Sequence, residues 1–423
     1  MSGLYKQQYT SFKQNPAQFW LEQSKNIPWY KTPNQAYTQD KNGLYHWFSD
    51  GQLNTSFLAL DQHVIAGFGD QTALIYDSPV TNTKQTYTYN QLQKEVAKFA
   101  GVIKALGVQK GDRVVIYMPM IPQAVIGMLA CARLGAIHSV VFGGFAAHEL
   151  AVRIDDAKPK LILSASCGVE VDSIIEYKPL IDDAIELANH KIDHCIIYQR
   201  DQVTANMVNE RDIDWTHAMQ TAQAADPTPL NGNDPLYILY TSGTPGAPKG
   251  VVRENGGHAV AMNYSMKTVY GMEPGEVFWA ASDIGWVVGH SYIVYGPLFN
   301  RNTTVLYEGK PVGTPDASAF WRVVEKYKVK VLFTAPTAIR AIKKEDPKGE
   351  LVVNGGFNLK SLSALFLAGE RSDPDTIDWA QKQLKVPVID HWWQTETGWS
   401  ICANCLGIEA LPVVQGSPTM PVP

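Results

Sequence analysis

Tyr240-Thr241-Ser242-Gly243-Thr244-Pro245-Gly246-Ala247-Pro248-Lys249-Gly250 packs hydroxyls, glycines and a single lysine directly behind Leu236–Tyr240, a short apolar run that reads as a buried strand. A polyphosphate needs donors on several sides. Glycine lets backbone N–H groups turn toward an anion, Thr and Ser hydroxyls add donors, and Lys249 supplies a point charge. The order differs from a Walker A loop, where Gly, Lys and Ser or Thr follow one another. Here Pro248 precedes Lys249 and Gly250 follows it. Turn chemistry draws on the same residues, so composition alone leaves a plain surface turn open.

Outward from this loop, strand-like and helix-like patterns alternate. Thr72–Tyr76 and Tyr87–Tyr89 read as short strands about the polar turn Thr81-Asn82-Thr83. Leu92, Val96, Phe99, Ile103 and Leu106 recur at helical spacing over 91–106, and Gly107 closes that helix. Further strands are expected at 114–118, 138–142, 160–164 and 194–198, with helices running to Leu134 and over 147–155 and 180–189. Beyond the loop, strands are expected at 277–281, 304–307, 329–333, 364–367 and 388–390, and helices at 258–269, 317–326, 337–344 and 373–384. Apolar runs separated by helices predict parallel strands buried on both faces. The fold class is α/β, with two doubly wound, mostly parallel sheets and the start of a small β subdomain. Residues 1–60 read as an aromatic-rich, irregular arm packing on the body. Residues 61–230 form a first α/β subdomain, 231–385 a second that carries the loop, and 386–423 an aromatic segment entering the β subdomain. The polar stretch 199–233 reads as the connection between subdomains.

The 423 residues are 45% hydrophobic and 18% charged, with 36 basic and 41 acidic side chains and a net charge of −5. That suits a soluble chain of more than one subdomain and offers no basic patch for nucleic acid or an anionic membrane. No apolar segment opens the chain, so no signal peptide is expected and a cytoplasmic location is. Val114–Ala132 is uncharged and long enough to span a bilayer. Pro119, Pro122 and Gln123 interrupt it, and a strand, a turn and a buried helix fit better. The five cysteines, Cys131, Cys167, Cys195, Cys402 and Cys405, suit a reducing compartment. Cys402 and Cys405 make one CxxC without the second pair of a zinc site.

Asp390-His391-Trp392-Trp393-Gln394-Thr395-Glu396-Thr397-Gly398 is the second informative segment. Aromatic rings can flank a purine, polar groups can read its edge, Thr395 can reach an α-phosphate, and Glu396 can hold Mg2+. Adjacent tryptophans alone are more often core packing; the polar run behind them points to a ligand. The loop at 240–250 resembles the phosphate loop of the adenylate-forming enzymes, which include acyl-CoA synthetases, luciferases and peptide-synthetase adenylation domains. Segment 390–398 resembles their second nucleotide signature, and Gly369-Glu370-Arg371 resembles the stretch lying against adenine. Pro245 stands where the family has Thr, removing a hydroxyl and an N–H, so weaker nucleotide binding is expected. Ser282–Ser291, Tyr292–Pro297, Tyr307–Pro311, Phe333–Arg340 and Val141–Phe145 resemble the acetyl- and propionyl-CoA synthetase branch, with the propionyl enzymes most alike. The likeness covers nearly the whole chain, arm included.

The resemblance implies a two-step reaction. A small carboxylate attacks the α-phosphorus of Mg-ATP to give acyl-AMP and pyrophosphate; the thiol of coenzyme A then attacks the acyl carbon and AMP leaves. Neither step needs a protein nucleophile, so catalysis is positioning and charge neutralisation. It implies Thr241, Ser242, Gly243, Thr244, Gly246 and Lys249 at the β,γ-phosphates. Gly369, Glu370, Arg371, Asp390, His391, Trp392, Gln394 and Thr395 would surround AMP, and Glu396 would hold Mg2+. Lys249, Thr395 and Glu396 stand nearest the chemistry. The turn Glu170-Val171-Asp172-Ser173 is implied at the coenzyme A phosphates, Gly143, Gly144 and Ala335 among the cofactor-binding residues, and Trp286, Val287, Val288, Ala368 and Trp393 at the acyl group. Trp393 would cap chain length by filling the pocket floor. Acetate-specific relatives carry Thr at the position of Val288 and Val at that of Ala368. The smaller Ala368 frees room for about one methylene, roughly 1 kcal/mol of burial. Propionate is therefore favoured, with acetate and butyrate competing.

Three departures bear on activity. Relatives carry Glu-Pro-Gly-Arg at the coenzyme A turn; here the arginine is lost and Asp172 adds negative charge, so phosphate binding there should weaken. Lys178 reads as solvated rather than as a substitute. The family's lid domain, with its adenylation lysine, and the ribose-binding Asp and hinge find no match within these residues. Nucleotide binding with impaired turnover is expected, a non-catalytic nucleotide or acyl-AMP binding module being the alternative. An α/β-hydrolase reading of Gly289-His290-Ser291 fails, because Ile293 replaces the last glycine of G-x-S-x-G.

Overall fold

The computed structural model describes residues 3–241, 249–353 and 355–423. Its principal strands are β1 Thr72–Ser78, β2 Thr83–Thr88, β3 Arg113–Tyr117, β4 Ile137–Val140, β5 Leu161–Ala165, β6 His194–Tyr198, β7 Asp212–Asp214, β8 Pro235–Thr241, β9 Lys249–Glu254, β10 Val277–Ala281, β11 Thr303–Tyr307, β12 Val329–Thr334, β13 Ala364–Leu367 and β14 Val388–Asp390. The helices that matter below are α1 Leu4–Gln14, α2 Pro16–Ser24, α3 Tyr89–Ala105, α4 Pro122–Leu134, α5 Ala147–Ala157, α6 Tyr177–Leu187, α7 Asn255–Thr268, α8 Ala319–Tyr327, α9 Pro336–Glu345 and α10 Pro374–Leu384.

Two 7-stranded sheets form, in the orders β7-β6-β5-β3-β4-β8-β9 and β14-β13-β12-β10-β11-β1-β2. In each, every neighbouring pair is parallel except the last, an antiparallel hairpin at one edge. Sheet membership does not follow chain order across residue 230. The hairpin β1–β2 joins the strands of 277–390, and β8–β9 joins those of 113–214. Alternation explains the layering. Val114 and Ile116 face a central apolar cluster shared by both sheets with α3, α4 and α7, while Val115 and Tyr117 face an outer cluster with α5 and α6. Val331 and Phe333 face the centre, while Leu332 faces a third cluster with α8, α9 and α10. Strands apolar on both faces need a helix layer on each side, so the order is helix, sheet, helix, sheet, helix.

The stretch 114–132 divides into β3, a turn and α4, a helix buried around almost its whole circumference. Pro122 starts α4 where an N–H has no partner anyway, and Gly135, at φ 75°, closes it in the left-handed conformation. Among the described residues no helix is long and apolar enough to cross a membrane. Arg133, inside α4, is buried because its guanidinium meets Asp61 at 2.7 and 3.0 Å, and its Nε donates to the Ala225 carbonyl at 2.6 Å.

Several expectations are corrected. The arm is not irregular: α1 and α2 occupy most of its first half. Gln- and Lys-rich helices with little buried surface show weak periodicity, and the local mark of α2 in the sequence is Asn15, which caps it by accepting from the Gln18 N–H. Helix α3 starts at Tyr89 because Thr88 and Gln91 form a capping box. The stretch 199–233 is not wholly a connection, since β7 adds an edge strand and Trp215–Thr221 a short helix. Lys178 is not solvated: its ammonium is buried between Asp182 at 2.6 Å and Asp212 at 2.9 Å, a structural ion pair.

Two stability predictions follow from the core. Arg133→Ala leaves Asp61 buried without its counter-charge and should cost about 3–5 kcal/mol; an unchanged urea midpoint would refute this. Burial holds His63, His290 and His391 down to about 4, and His138 and His258 well below their ordinary value. Below about pH 6.5 the unfolded chain therefore binds protons that the folded chain refuses. Stability should fall as pH drops from 6.5 toward 4, at up to about 1.4 kcal/mol per pH unit for each histidine. A flat urea-midpoint profile across that window would contradict the neutral, buried state of these rings.

Candidate active site

The register of the second sheet sets the carboxyl ends of its strands in one row. Ala281 pairs with Thr334, Thr334 with Leu367, and Leu367 with Asp390. Each strand then delivers its next residues to the same edge: Ser282-Asp283 after β10, Ala335 after β12, Ala368-Gly369-Glu370 after β13, and His391-Trp392-Trp393 after β14. This is where ligands settle in open parallel sheets. Gly369 takes φ 105°, which a side chain would resist.

The two tryptophans separate sharply. Trp392 is 50% exposed, whereas Trp393 is 7% exposed and sits edge-on to Tyr292 at 5.5 Å and tilted against Phe333 at 6.0 Å. Ala368 belongs to the same apolar cluster, and Val287 and Val288 pack against it. Trp286 lies outside that group, exposed and 5.4 Å from Phe142. His391 turns inward: its Nδ1–H donates to the Leu367 carbonyl at 2.7 Å, which leaves Nε2 to accept from the Tyr270 hydroxyl at 3.1 Å. Both ring nitrogens serve the core, and burial keeps the ring neutral. Asp390 is raised above the usual carboxylate range by burial, opposed by the Ser372 N–H and the Arg371 charge. Glu370 is held by Arg340 of α9.

Segment 394–398 is a tight turn. The Thr397 hydroxyl accepts from the Gln394 N–H at 3.1 Å and donates to the Gln394 carbonyl at 3.0 Å. Arg253 of β9 clamps this turn from the other sheet, donating to the carbonyls of Thr395 at 2.6 Å, Glu396 at 3.1 Å and Thr397 at 3.4 Å. Thr241 and Lys249 face each other where β8 and β9 close their hairpin. Side chains alternate along a strand, so Lys249 and Arg253 emerge on one face, their Cα atoms about 13 Å apart. Thr395, Glu396 and Lys249 are thus carried by two elements joined through Arg253. Ser242, Gly243, Thr244 and Gly246 lie outside the described residues.

A cavity of about 240 Å3 opens between the sheets' edges, lined in part by Gly143, Gly144, Glu170, Val171 and Asp283. Gly143 is required by packing, since a Cβ there would lie 2.2 Å from the Tyr177 hydroxyl oxygen. Glu170 pairs with Lys310 at 2.9 Å, and its N–H donates to the Ser173 carbonyl in the turn that carries Asp172. Asp283 is pushed up to about 6, chiefly by burial, although it accepts from the Gly285 N–H at 2.7 Å. Ser291 is fully buried and donates to the Gly398 carbonyl at 2.7 Å, so it is no exposed nucleophile.

Arg253, Arg340 and Asp283 were given no role by the sequence. The i, i+4 placement of Arg253 on the strand that begins with Lys249 was the one available signal. The other two needed the strand order.

The sheet ends thus gather an aromatic turn, a clamped Thr-Glu pair and a lysine hairpin. The chain belongs to the AMP-binding enzyme family, whose model matches residues 61–423, within the adenylate-forming acyl-CoA synthetase branch. Residues 5–59 match the acetyl-coenzyme A synthetase N-terminus. An uncharacterised protein of Pseudomonas aeruginosa is 57% identical over 99% of this chain and 66% of its own length. The human mitochondrial acyl-CoA synthetase short-chain family member 3 is 52% identical over 96% of this chain and 59% of its own length. The propionate–CoA ligase of Escherichia coli is 47% identical over 96% of this chain and 64% of its own length. The chain therefore spans less than two thirds of the length of these relatives.

Replacing Arg253 by Met should weaken AMP binding about tenfold, the scale of one or two charge-assisted hydrogen bonds. Calorimetry that finds equal AMP affinity in both proteins would remove Arg253 from the site.

Proposed function

We propose that the protein activates a short-chain carboxylate with ATP to acyl-AMP and then transfers the acyl group to coenzyme A, propionate being preferred over acetate and butyrate. The observation that carries this reading is the single row of strand ends, which brings Ala368 and the buried Trp393 to the edge that also carries the aromatic turn and the Arg253-clamped Thr395-Glu396 pair. In this reading the carboxylate lies with its alkyl end against Trp393, Val287, Val288 and Ala368. Trp286, outside that cluster, belongs at the mouth.

Thr395 and Lys249 would bind phosphate oxygens, with Ser242, Gly243, Thr244 and Gly246 contributing donors from the hairpin loop. Gly369, Glu370, Arg371, Asp390, Trp392 and Gln394 would border the AMP moiety, and His391 would support that wall from behind through its bond to Leu367. Glu396 is exposed, and among the described residues no set of three metal-ligating side chains is gathered. One carboxylate suits Mg2+, which keeps most of its coordination for phosphate and water and would neutralise phosphate charge when bound. The cavity at Gly143, Gly144, Glu170 and Val171 would admit the thiol arm of coenzyme A, with Asp172, Ser173 and Ala335 at its borders. For these 423 residues taken alone, adenylate binding with impaired turnover is proposed.

The test is pyrophosphate release with propionate, acetate and butyrate, on the protein in which these residues occur. Ala368→Val should lower kcat/KM for propionate relative to acetate by about tenfold, one methylene's worth of pocket. An unchanged ratio would exclude Ala368 from the pocket. Tight binding of propyl-AMP with no pyrophosphate release from any acid would replace the ligase reading by a binding module.

A further inference from the structure

Three carboxylates line the 240 Å3 cavity, and two of them are committed elsewhere. Glu308 receives both guanidinium nitrogens of Arg200, at 2.8 and 3.0 Å, and the Ser78 hydroxyl at 2.8 Å. Glu170 is paired with Lys310 at 2.9 Å. Asp283 is the third. Its Oδ1 accepts from the Gly285 N–H at 2.7 Å. Its Oδ2 has no hydrogen-bond or ion-pair partner among the described residues. Burial pushes this carboxyl up to about 6; the Gly285 N–H and the Lys310 ammonium oppose the rise, and Glu170 adds to it. The Tyr177 hydroxyl, which faces the same cavity from α6, is held well above its ordinary value by burial and keeps its proton.

The place of Asp283 in the chain matters as much as its surroundings. It opens the turn that leaves β10, and its carbonyl accepts from the Trp286 N–H at 3.1 Å. Gly285 is pressed against the other wall of the cavity, where a Cβ would lie 2.8 Å from the Phe142 Cα. Directly after this turn, Val287 and Val288 pack on the apolar cluster that holds Ala368 and Trp393. One short segment therefore has the cavity at its first residue and the proposed acyl pocket at its last. A carboxylate oxygen without a partner stands between them.

We propose that Asp283 is a catalytic residue of the second half-reaction, the general base whose Oδ2 takes the proton of the cosubstrate thiol. The assignment rests on the ligase reading above. The S–H bond breaks and its proton passes to Oδ2. The sulfur electron pair forms the S–C bond at the acyl carbon, and the acyl C–O bond to AMP breaks with its pair staying on the phosphate oxygen. A thiol with an ordinary value of about 8.5 is mostly protonated at neutral pH, so the step gains from an acceptor beside the sulfur. A desolvated carboxylate with no counter-charge in contact holds a proton better than a solvated one. Adenylation starts from an ionised acid and moves no proton, so it makes no use of Asp283.

The test is Asp283→Asn in the protein in which these residues occur. Asparagine keeps the oxygen that accepts from Gly285, and nearly the same volume, but cannot take the proton. Two rates are measured: pyrophosphate release with propionate, and single-turnover thioester formation from propionyl-AMP and coenzyme A. Pyrophosphate release should stay within about twofold of wild type, which also shows that the variant is folded, while thioester formation at pH 7 falls by at least about a hundredfold. In wild type the thioester rate should rise with pH through about 6, as Asp283 gives up its proton. The variant should lack that limb, and its deficit should shrink above about pH 8.5, where the thiol ionises unaided. Equal thioester rates in the two proteins overturn the proposal. So does an equal loss of both rates, or a deficit that is the same at every pH, since either marks a structural role. Wild-type protein that releases no pyrophosphate with any short acid and forms no thioester defeats the ligase reading and the base together; thioester formation retained by the variant removes the base alone.

Discussion

The site depends on strand register. In the second sheet, six consecutive strands run parallel, and backbone hydrogen bonds align Ala281, Thr334, Leu367 and Asp390 across four of them. A parallel strand buried on both faces cannot slip by one residue without turning its apolar side chains over. The helix layers on either side therefore hold the row in place, and the row in turn holds the loops. What each loop presents is then a matter of one or two residues. Gly369 turns with positive φ, Trp393 drops into the core, and Trp392 stays at the surface.

The second requirement is a link between the sheets. The hairpin that carries Lys249 belongs to one sheet and the aromatic turn to the other, so nothing local fixes their distance. Arg253 supplies the link by charge-assisted hydrogen bonds to three successive carbonyls. Carbonyls at such a turn have no helix or sheet partner to satisfy them, and a guanidinium can serve several at once. The arm adds a further tie, with Trp20 packed edge-on against Trp399 at 5.8 Å, directly behind the turn.

Charge inside the molecule is handled by pairing or by neutrality. Arg133–Asp61, Arg200–Glu308 and Lys178 with its two aspartates are buried pairs whose members would be costly alone. The buried histidines follow the other course and stay neutral.

The α/β class and the strands expected at 72–76, 277–281 and 364–367 were legible from the sequence because each is a local pattern of period two or an apolar run, and the segments at 240–250 and 390–398 stood out as runs of turn and donor residues. The family resemblance rested on the same short runs. Sheet order was not legible. Hairpin β1–β2 sits beside strands more than two hundred residues later in the chain, because the edge it covers is created only by folding. For that reason the inward turn of His391, the burial of Lys178 and the positions of Arg253 and Asp283 were decided by tertiary structure. Residue type tells what chemistry a side chain can do; its partner, and hence its charge and exposure, is set by contacts between segments that only the packed chain brings together.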